Sequence, residues 1–105
     1  LMIDSSNLFE DKISEIAFSD VEIDVISNHM LTNYKNISNL EYSKQLKIQI
    51  HSPVMWSDTI KKIISTNVNS FIEIGPKKTL LNFIPKNFAG EKISITNNEE
   101  IAHYV

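Results

Sequence analysis

Apolar positions along the chain alternate between two periods. In Ser6 to Phe18, "SNLFEDKISEIAF", Phe9, Ile13, Ile16 and Ala17 recur at i, i+4, i+7 and i+8, which predicts one amphipathic helix. "EIDVIS", residues 22–27, is a short β-branched run and reads as a strand; "NHMLTNYKN", residues 28–36, reads as a loop. Ser38-Asn39-Leu40-Glu41 has the S-x-x-E form of a capping box, in which serine and glutamate satisfy helix-start amides reciprocally. The helix that follows carries Tyr42, Leu46 and Ile50 on one stripe and should close near His51. Ser52-Pro53 then reads as an N-cap with proline at the first helical position, where its missing N–H costs nothing. Trp56, Ile60, Ile63 and Ile64 form the expected buried stripe of that helix.

Beyond it, "SFIEI" (70–74) is a clear strand, "KKTLLNFI" (77–84) a short helix and "EKISIT" (91–96) a possible further strand. "NNEEIAHYV" opens a last helix, with an asparagine cap and Glu99 and Glu100 near its positive end. Strands separated by helices predict an α/β fold, with helices alternating with two or three mainly parallel strands. So few strands do not make a self-sufficient wound sheet. The chain therefore reads as the carboxyl part of a larger α/β domain, one partial domain over residues 1–105. The absence of an initiating methionine fits that expectation.

Composition narrows the function classes. Hydrophobic content is 42% and charged content 22%, within the range of folded globular chains. At 105 residues the chain is long enough to bury roughly two-thirds of its unfolded surface. Net charge is −3 and every basic residue is a lysine, so neither the basic excess nor the arginine forks of a nucleic-acid binder are present. Without cysteine there is no thiol catalysis, thiolate zinc site or disulfide framework. No apolar run approaches the ~20 residues of a membrane span, and the N-terminus lacks the pattern of a signal peptide. The expectation is a cytoplasmic chain that binds neither nucleic acid nor membrane.

The stretch "EIGPKKTL" (73–80) poses the sharpest chemical question. A phosphate-cradling loop needs G-x-x-x-x-G-K-[ST] and a run of backbone amides. Here Gly75 has no second glycine before Lys77, and Pro76 removes one amide, so the stretch reads as a hinge. Glycine would supply φ > 0 at the strand end and proline would preset the helix start. His29, His51 and His103 lack serine–aspartate partners and the spacing of a metal site, and read as polar junction residues. Asp20, Glu22 and Asp24 read as solvated carboxylates, and Lys61, Lys62, Lys77, Lys78 and Lys86 as scattered lysines that could form a basic patch. No G-x-S-x-G elbow is present.

Three ordered segments change that picture. "LM…FSDVEIDVISN", "QIHSPVMW" and "SFIEIGPKKTL" together resemble the carboxyl-terminal third of malonyl-CoA:acyl carrier protein transacylases and the related acyltransferase domains of polyketide synthases, over about residues 1–96. The matching positions are Leu1, Met2, Phe18, Asn28, Gln49, Pro53, Val54, Trp56, Glu73, Gly75, Pro76 and Leu80. Two positions depart from the family pattern: Lys77, where a second glycine is frequent, and His29, where a small apolar residue is usual. The resemblance implies the carboxyl part of the α/β-hydrolase-like large subdomain of an acyltransferase, for fatty acid or polyketide biosynthesis. The implied reaction moves a malonyl or other acyl group from coenzyme A to the phosphopantetheine thiol of acyl carrier protein, through an acyl-serine intermediate with a histidine base. It implies no permanently bound cofactor, with the coenzyme A thioester as substrate. Its implied partners are acyl carrier protein, malonyl-CoA and the N-terminal remainder of the same domain.

The catalytic serine and histidine are not among the matched residues, so this chain by itself is expected to be inactive and poorly stable. The one site residue the resemblance transfers is Gln49, whose main-chain carbonyl would accept the histidine N–H and fix its tautomer. A backbone role of that kind predicts a mild Gln49→Ala variant. Two alternatives stay open on the sequence: a non-catalytic module that docks carrier protein through its lysines, and an acyl-carrier hydrolase of the same fold.

Overall fold

The computed structural model describes residues 2–31, 33–35 and 37–105; matched Leu1, and Thr32 and Asn36 of the expected loop, lie outside the described residues. The elements are α1 (Met2–Ile13), α2 (Asn39–His51), α3 (Trp56–Ile64), β1 (Ser70–Ile74), a 3₁₀ turn (Leu80–Phe83), β2 (Glu91–Ile95) and α4 (Asn98–Ala102). The chain divides into two compact units, Leu1–Thr59 and Ile60–Val105, with the division inside α3.

In the first unit α1 packs against α2, with Lys47 Nζ on α2 paired to Glu10 Oε2 on α1. Ser6 and Ile13 are buried on one face of α1. The expected stripe is thus partly right but its helix lies earlier: it closes at Ile13, and Ile16 is 52% exposed. The cause is local. Ser14 Oγ donates to the Asp11 carbonyl at 3.0 Å and Ile16 N–H turns to Ile13 at 3.0 Å, an i−3 bond that ends the α-helical ladder.

"EIDVIS" does not form a strand. Only a single antiparallel bridge, Ile26 to Asn33, stands there. The Asn33 side chain takes the places a ladder would use: Oδ1 accepts from Val25 N–H at 3.2 Å and from Lys35 N–H at 3.0 Å, and Nδ2 donates to Asp24 Oδ1 at 2.8 Å. A short amide side chain that mimics backbone competes with sheet pairing, and at this loop it wins.

α2 starts where expected, with Ser38 Oγ accepting from Glu41 N–H at 3.2 Å. Glu41 does not complete a reciprocal box among the described residues; its Oε1 accepts from Gln45 Nε2 at 3.0 Å. α3 does not begin at Pro53. Ser52 is the C-cap of α2 in extended geometry (φ −118, ψ 149), the region that a following proline favours. Helix resumes only at Trp56, with the Met55 carbonyl accepting from Thr59 N–H at 2.9 Å and from Thr59 Oγ1 at 2.6 Å. On α3, Ile60 is buried while Trp56, Ile63 and Ile64 are half-buried.

The second unit holds a two-stranded parallel sheet, β1 beside β2, in the register Ser70–Glu91 through Ile74–Ile95. Parallel neighbours need a crossover of a dozen or more residues, and residues 75–90 supply it. Ile60, Leu81, Ile84 and Ile95 are its buried apolar residues. Phe71 meets Phe88 edge-on at 4.9 Å. On the opposite face of β1, Ile72 is 49% and Ile74 73% exposed. α4 is capped by Asn97 Oδ1, which accepts from Glu100 N–H at 2.9 Å, while Glu100 Oε2 reaches back to Thr96 N–H at 2.7 Å. No helix among the described residues is long and apolar enough to cross a membrane.

Candidate functional site

The residue the sequence singles out, Gln49, sits in the last turn of α2. In an α-helix its carbonyl would accept from the N–H four residues on. That residue is Pro53, which has no N–H, so the helical bond to Gln49 cannot form. One further donor is diverted too. Met55 N–H, the i+4 partner of His51, donates to the Asn28 carbonyl at 2.6 Å. The end of α2 therefore presents main-chain carbonyl oxygen, with the partial negative charge of a helix C-terminus, to whatever donor approaches.

Loop residues 25–31 and 33–35 are fastened around this helix end. Tyr34 N–H donates to Val25 at 2.8 Å, and Met30 N–H donates to Ser27 Oγ at 3.1 Å, with Ser27 almost fully buried. Leu31 holds φ at 55°, the left-handed region that a branched residue rarely adopts and that costs about 1–2 kcal/mol. His29 Nδ1 lies 3.1 Å from the Pro53 carbonyl. A carbonyl only accepts, so this contact fixes the Nδ1–H tautomer and orients the ring.

Tyr34 and Tyr42 carry the centre of the unit. Their rings stack at 5.4 Å, and Tyr42 stacks on Phe18 at 5.3 Å. Tyr42 OH donates to the Tyr34 carbonyl at 2.6 Å, and Gln49 Nε2 donates to the Tyr34 hydroxyl. Burial pushes the Tyr34 phenol above its usual range, against the Gln49 bond, so it stays neutral.

The second unit holds a separate constellation. Glu73 on β1 accepts three backbone N–H groups, Thr79 at 3.2 Å and Leu80 at 3.0 Å on Oε1, and Leu81 at 2.9 Å on Oε2. These bonds, Leu80 and Leu81 foremost and with Lys78 adding to them, hold its carboxyl below the usual range against the effect of burial. The hinge reading of Gly75-Pro76 survives in part. The segment bends out of the strand, but no glycine has positive φ, and Gly75 N–H extends the ladder by donating to the Ile95 carbonyl at 3.1 Å. What ties the turn is Glu73. The sequence reading missed it, although an acid just before a helical turn with orphan amides is a usable signal.

Of the remaining candidates, Lys61, Lys62, Lys77, Lys78 and Lys86 are all exposed, as are Asp20, Glu22 and Asp24, and the latter engages Asn33. His51 and His103 are exposed. Trp56 Nε1 is buried without an acceptor among the described residues. No group of three or more acidic or histidine side chains there could hold a metal.

Three curated proteins align with most of this chain. Malonyl CoA-acyl carrier protein transacylase of Bacillus subtilis strain 168 is 30% identical over 105 residues, covering 96% of this chain and 32% of that protein. The Buchnera aphidicola (subsp. Schizaphis graminum) protein of the same name is 30% identical, covering 89% and 28% respectively. A second Bacillus subtilis protein of that name is 27% identical, covering 82% and 21%. The likeness is to the carboxyl-terminal part of malonyl CoA-acyl carrier protein transacylases. The chain spans between about a fifth and a third of the length of these relatives. No family model matches it, and no solved structure does.

Proposed function

We propose that this chain is the carboxyl-terminal segment of an acyltransferase that moves a malonyl group, or another acyl group, from coenzyme A to the phosphopantetheine thiol of acyl carrier protein, in fatty acid synthesis. The observation that carries the reading is the likeness to three such transacylases across 82% to 96% of the chain. The geometry supplies its local content. The Gln49 carbonyl, denied a helical partner by Pro53, is an acceptor for the Nδ1–H of a catalytic histidine contributed by the rest of the domain. Held that way, the histidine keeps Nε2 free to take the proton of a nucleophilic serine. The exposed Ile72 and Ile74 fit the same reading, because parallel sheets are ordinarily covered on both faces. Further strands and helices of an α/β-hydrolase-like subdomain would cover them.

The test is the intact mass of the complete protein carrying this segment, before and after exposure to malonyl-CoA. Gain of one malonyl group, lost again on adding carrier protein that bears its phosphopantetheine, is the expected result. No gain with malonyl-CoA or with other acyl-CoA thioesters would end the reading.

Pro53→Ala tests the open carbonyl. Alanine restores an N–H four residues after Gln49, and the regained helical bond would compete with the histidine. The expected outcome is a roughly tenfold lower kcat with a thermal midpoint equal to or above wild type, since one net hydrogen bond is worth about 1 kcal/mol. An unchanged kcat would mean that the Gln49 carbonyl orients nothing.

A second reading, docking of carrier protein, is favoured by residues 75–90. They contain Lys77, Lys78 and Lys86, no acidic residue, and the exposed Leu80 and Phe83. Binding that weakens steeply with salt is expected if these lysines meet an acidic partner, and salt-indifferent binding would exclude it.

A further inference from the structure

Tyr34 belongs to none of the segments that carry the family likeness, yet it touches α2 at two points two helical turns apart. Its carbonyl accepts the hydroxyl of Tyr42, and its own hydroxyl accepts the side-chain amide of Gln49. Residues 42 and 49 differ by seven and therefore share one helix face. Tyr34 is itself pinned, 8% exposed, stacked on Tyr42, and hydrogen-bonded through its N–H to Val25. Gln49 is the terminal contact of this brace, on the turn that Pro53 leaves without a helical bond. A last turn that lacks that bond frays and rotates unless a side chain holds it.

We infer that Tyr34 is a positioning residue for acyl transfer: through the Gln49 side chain it sets the direction of the Gln49 carbonyl. This rests on the functional reading above. It also gives the Gln49 side chain a second role. The backbone role considered by itself predicts a mild Gln49→Ala variant, whereas the brace predicts that Gln49→Ala and Tyr34→Phe fall together.

The two tyrosine hydroxyls act in opposite senses, and this separates positioning from packing. Tyr42 OH is a donor to a buried carbonyl, so Tyr42→Phe orphans that carbonyl and mainly lowers stability. Tyr34 OH is the acceptor for Gln49, and Tyr34→Phe keeps the stacked ring while freeing only the amide.

The experiment is a double-mutant cycle in the complete enzyme, with Tyr34→Phe, Gln49→Ala and the pair, measured as kcat, KM and the pH profile of kcat/KM. Each single variant is expected to lower kcat by roughly three- to tenfold with KM for the acyl thioester unchanged, and the pair is expected to lose no more than either. A carbonyl that accepts the imidazole N–H raises the pKa of that histidine, so losing its aim should move the acidic limb of the profile to lower pH. Gly90→Ala, in the second unit and outside the brace, serves as the control for stability, with a lower thermal midpoint and an unmoved limb. Wild-type kcat and an unmoved limb in Tyr34→Phe, or losses that add in the pair, would overturn the inference and leave the functional reading standing. A wild-type enzyme that transfers no acyl group would remove both.

Discussion

Gly90→Ala is expected to destabilise the second unit by about 3 kcal/mol, lowering its thermal midpoint by roughly 10 °C or more. A Cβ built on Gly90 falls 2.3 Å from the Asn69 carbonyl oxygen and 2.4 Å from Phe88 Cζ. The phenyl ring can swing aside, but only by giving up its edge-on contact with Phe71. The carbonyl cannot move, because Asn69 O accepts from Glu91 N–H at 3.0 Å, where β2 begins beside β1. The methyl group would therefore open the sheet at its first rung. Gly75→Ala is the matched control. Nothing lies within 4 Å of its Cβ and its φ is not positive, so it should be neutral or slightly stabilising through the unfolded chain. Circular dichroism melts of the two variants decide the matter. A midpoint for Gly90→Ala within a degree or two of wild type would show that the Asn69–Gly90 approach is not needed.

Glu73→Ala should release the turn of residues 79–81 while leaving the sheet paired. One carboxylate satisfies three N–H groups there, and alanine leaves all three to water. Amide hydrogen exchange at Thr79, Leu80 and Leu81 should quicken by about tenfold or more, with exchange in β1 and β2 little altered. Glu73→Gln, with one accepting oxygen and an amide facing the donors, should fall between. The pH dependence has a definite sign. The folded carboxyl titrates below its usual range, so the stability it contributes is present above the unfolded-state pKa and fades as pH drops through the folded-state value. Protection factors at 79–81, measured against the intrinsic rate at each pH, should therefore fall on acidification in wild type and not in Glu73→Ala. Equal protection of these amides in wild type and Glu73→Ala would refute the clamp.

These two positions show where sequence reading succeeds and where it stops. Ser38 and Asn97 were readable as caps because their chemistry is local: a short oxygen-bearing side chain and an N–H within three residues. "SFIEI" and "EKISIT" were readable as strands from alternation and flanking turns. "EIDVIS" misled, since propensity favoured a strand but an asparagine eight residues further on took over the ladder positions. The start of α3 misled for a similar reason. Ser52-Pro53 has the composition of a helix opening, but Ser52 was already committed to closing α2. Between the glycines, the motif drew attention to Gly75, which is unhindered, and not to Gly90, whose constraint comes from a chain segment twenty-one residues away. At the candidate site, the family pattern singles out Gln49 as a residue to test. Tyr34 was not legible, because nothing in its neighbourhood in the sequence indicates that its hydroxyl meets α2.

Pro53 has a consequence for anyone redesigning this segment. The residue is exposed, and its ring would look expendable to a procedure that chooses side chains by packing and helix propensity. Such a procedure would install a good helix former, join α2 toward α3 and report a more regular chain. The redesigned protein would be better folded by every local measure and would have used up the acceptor that Pro53 leaves open at Gln49. At position 53 the useful information is an atom the residue does not have, and a design objective that scores only the contacts present will erase it.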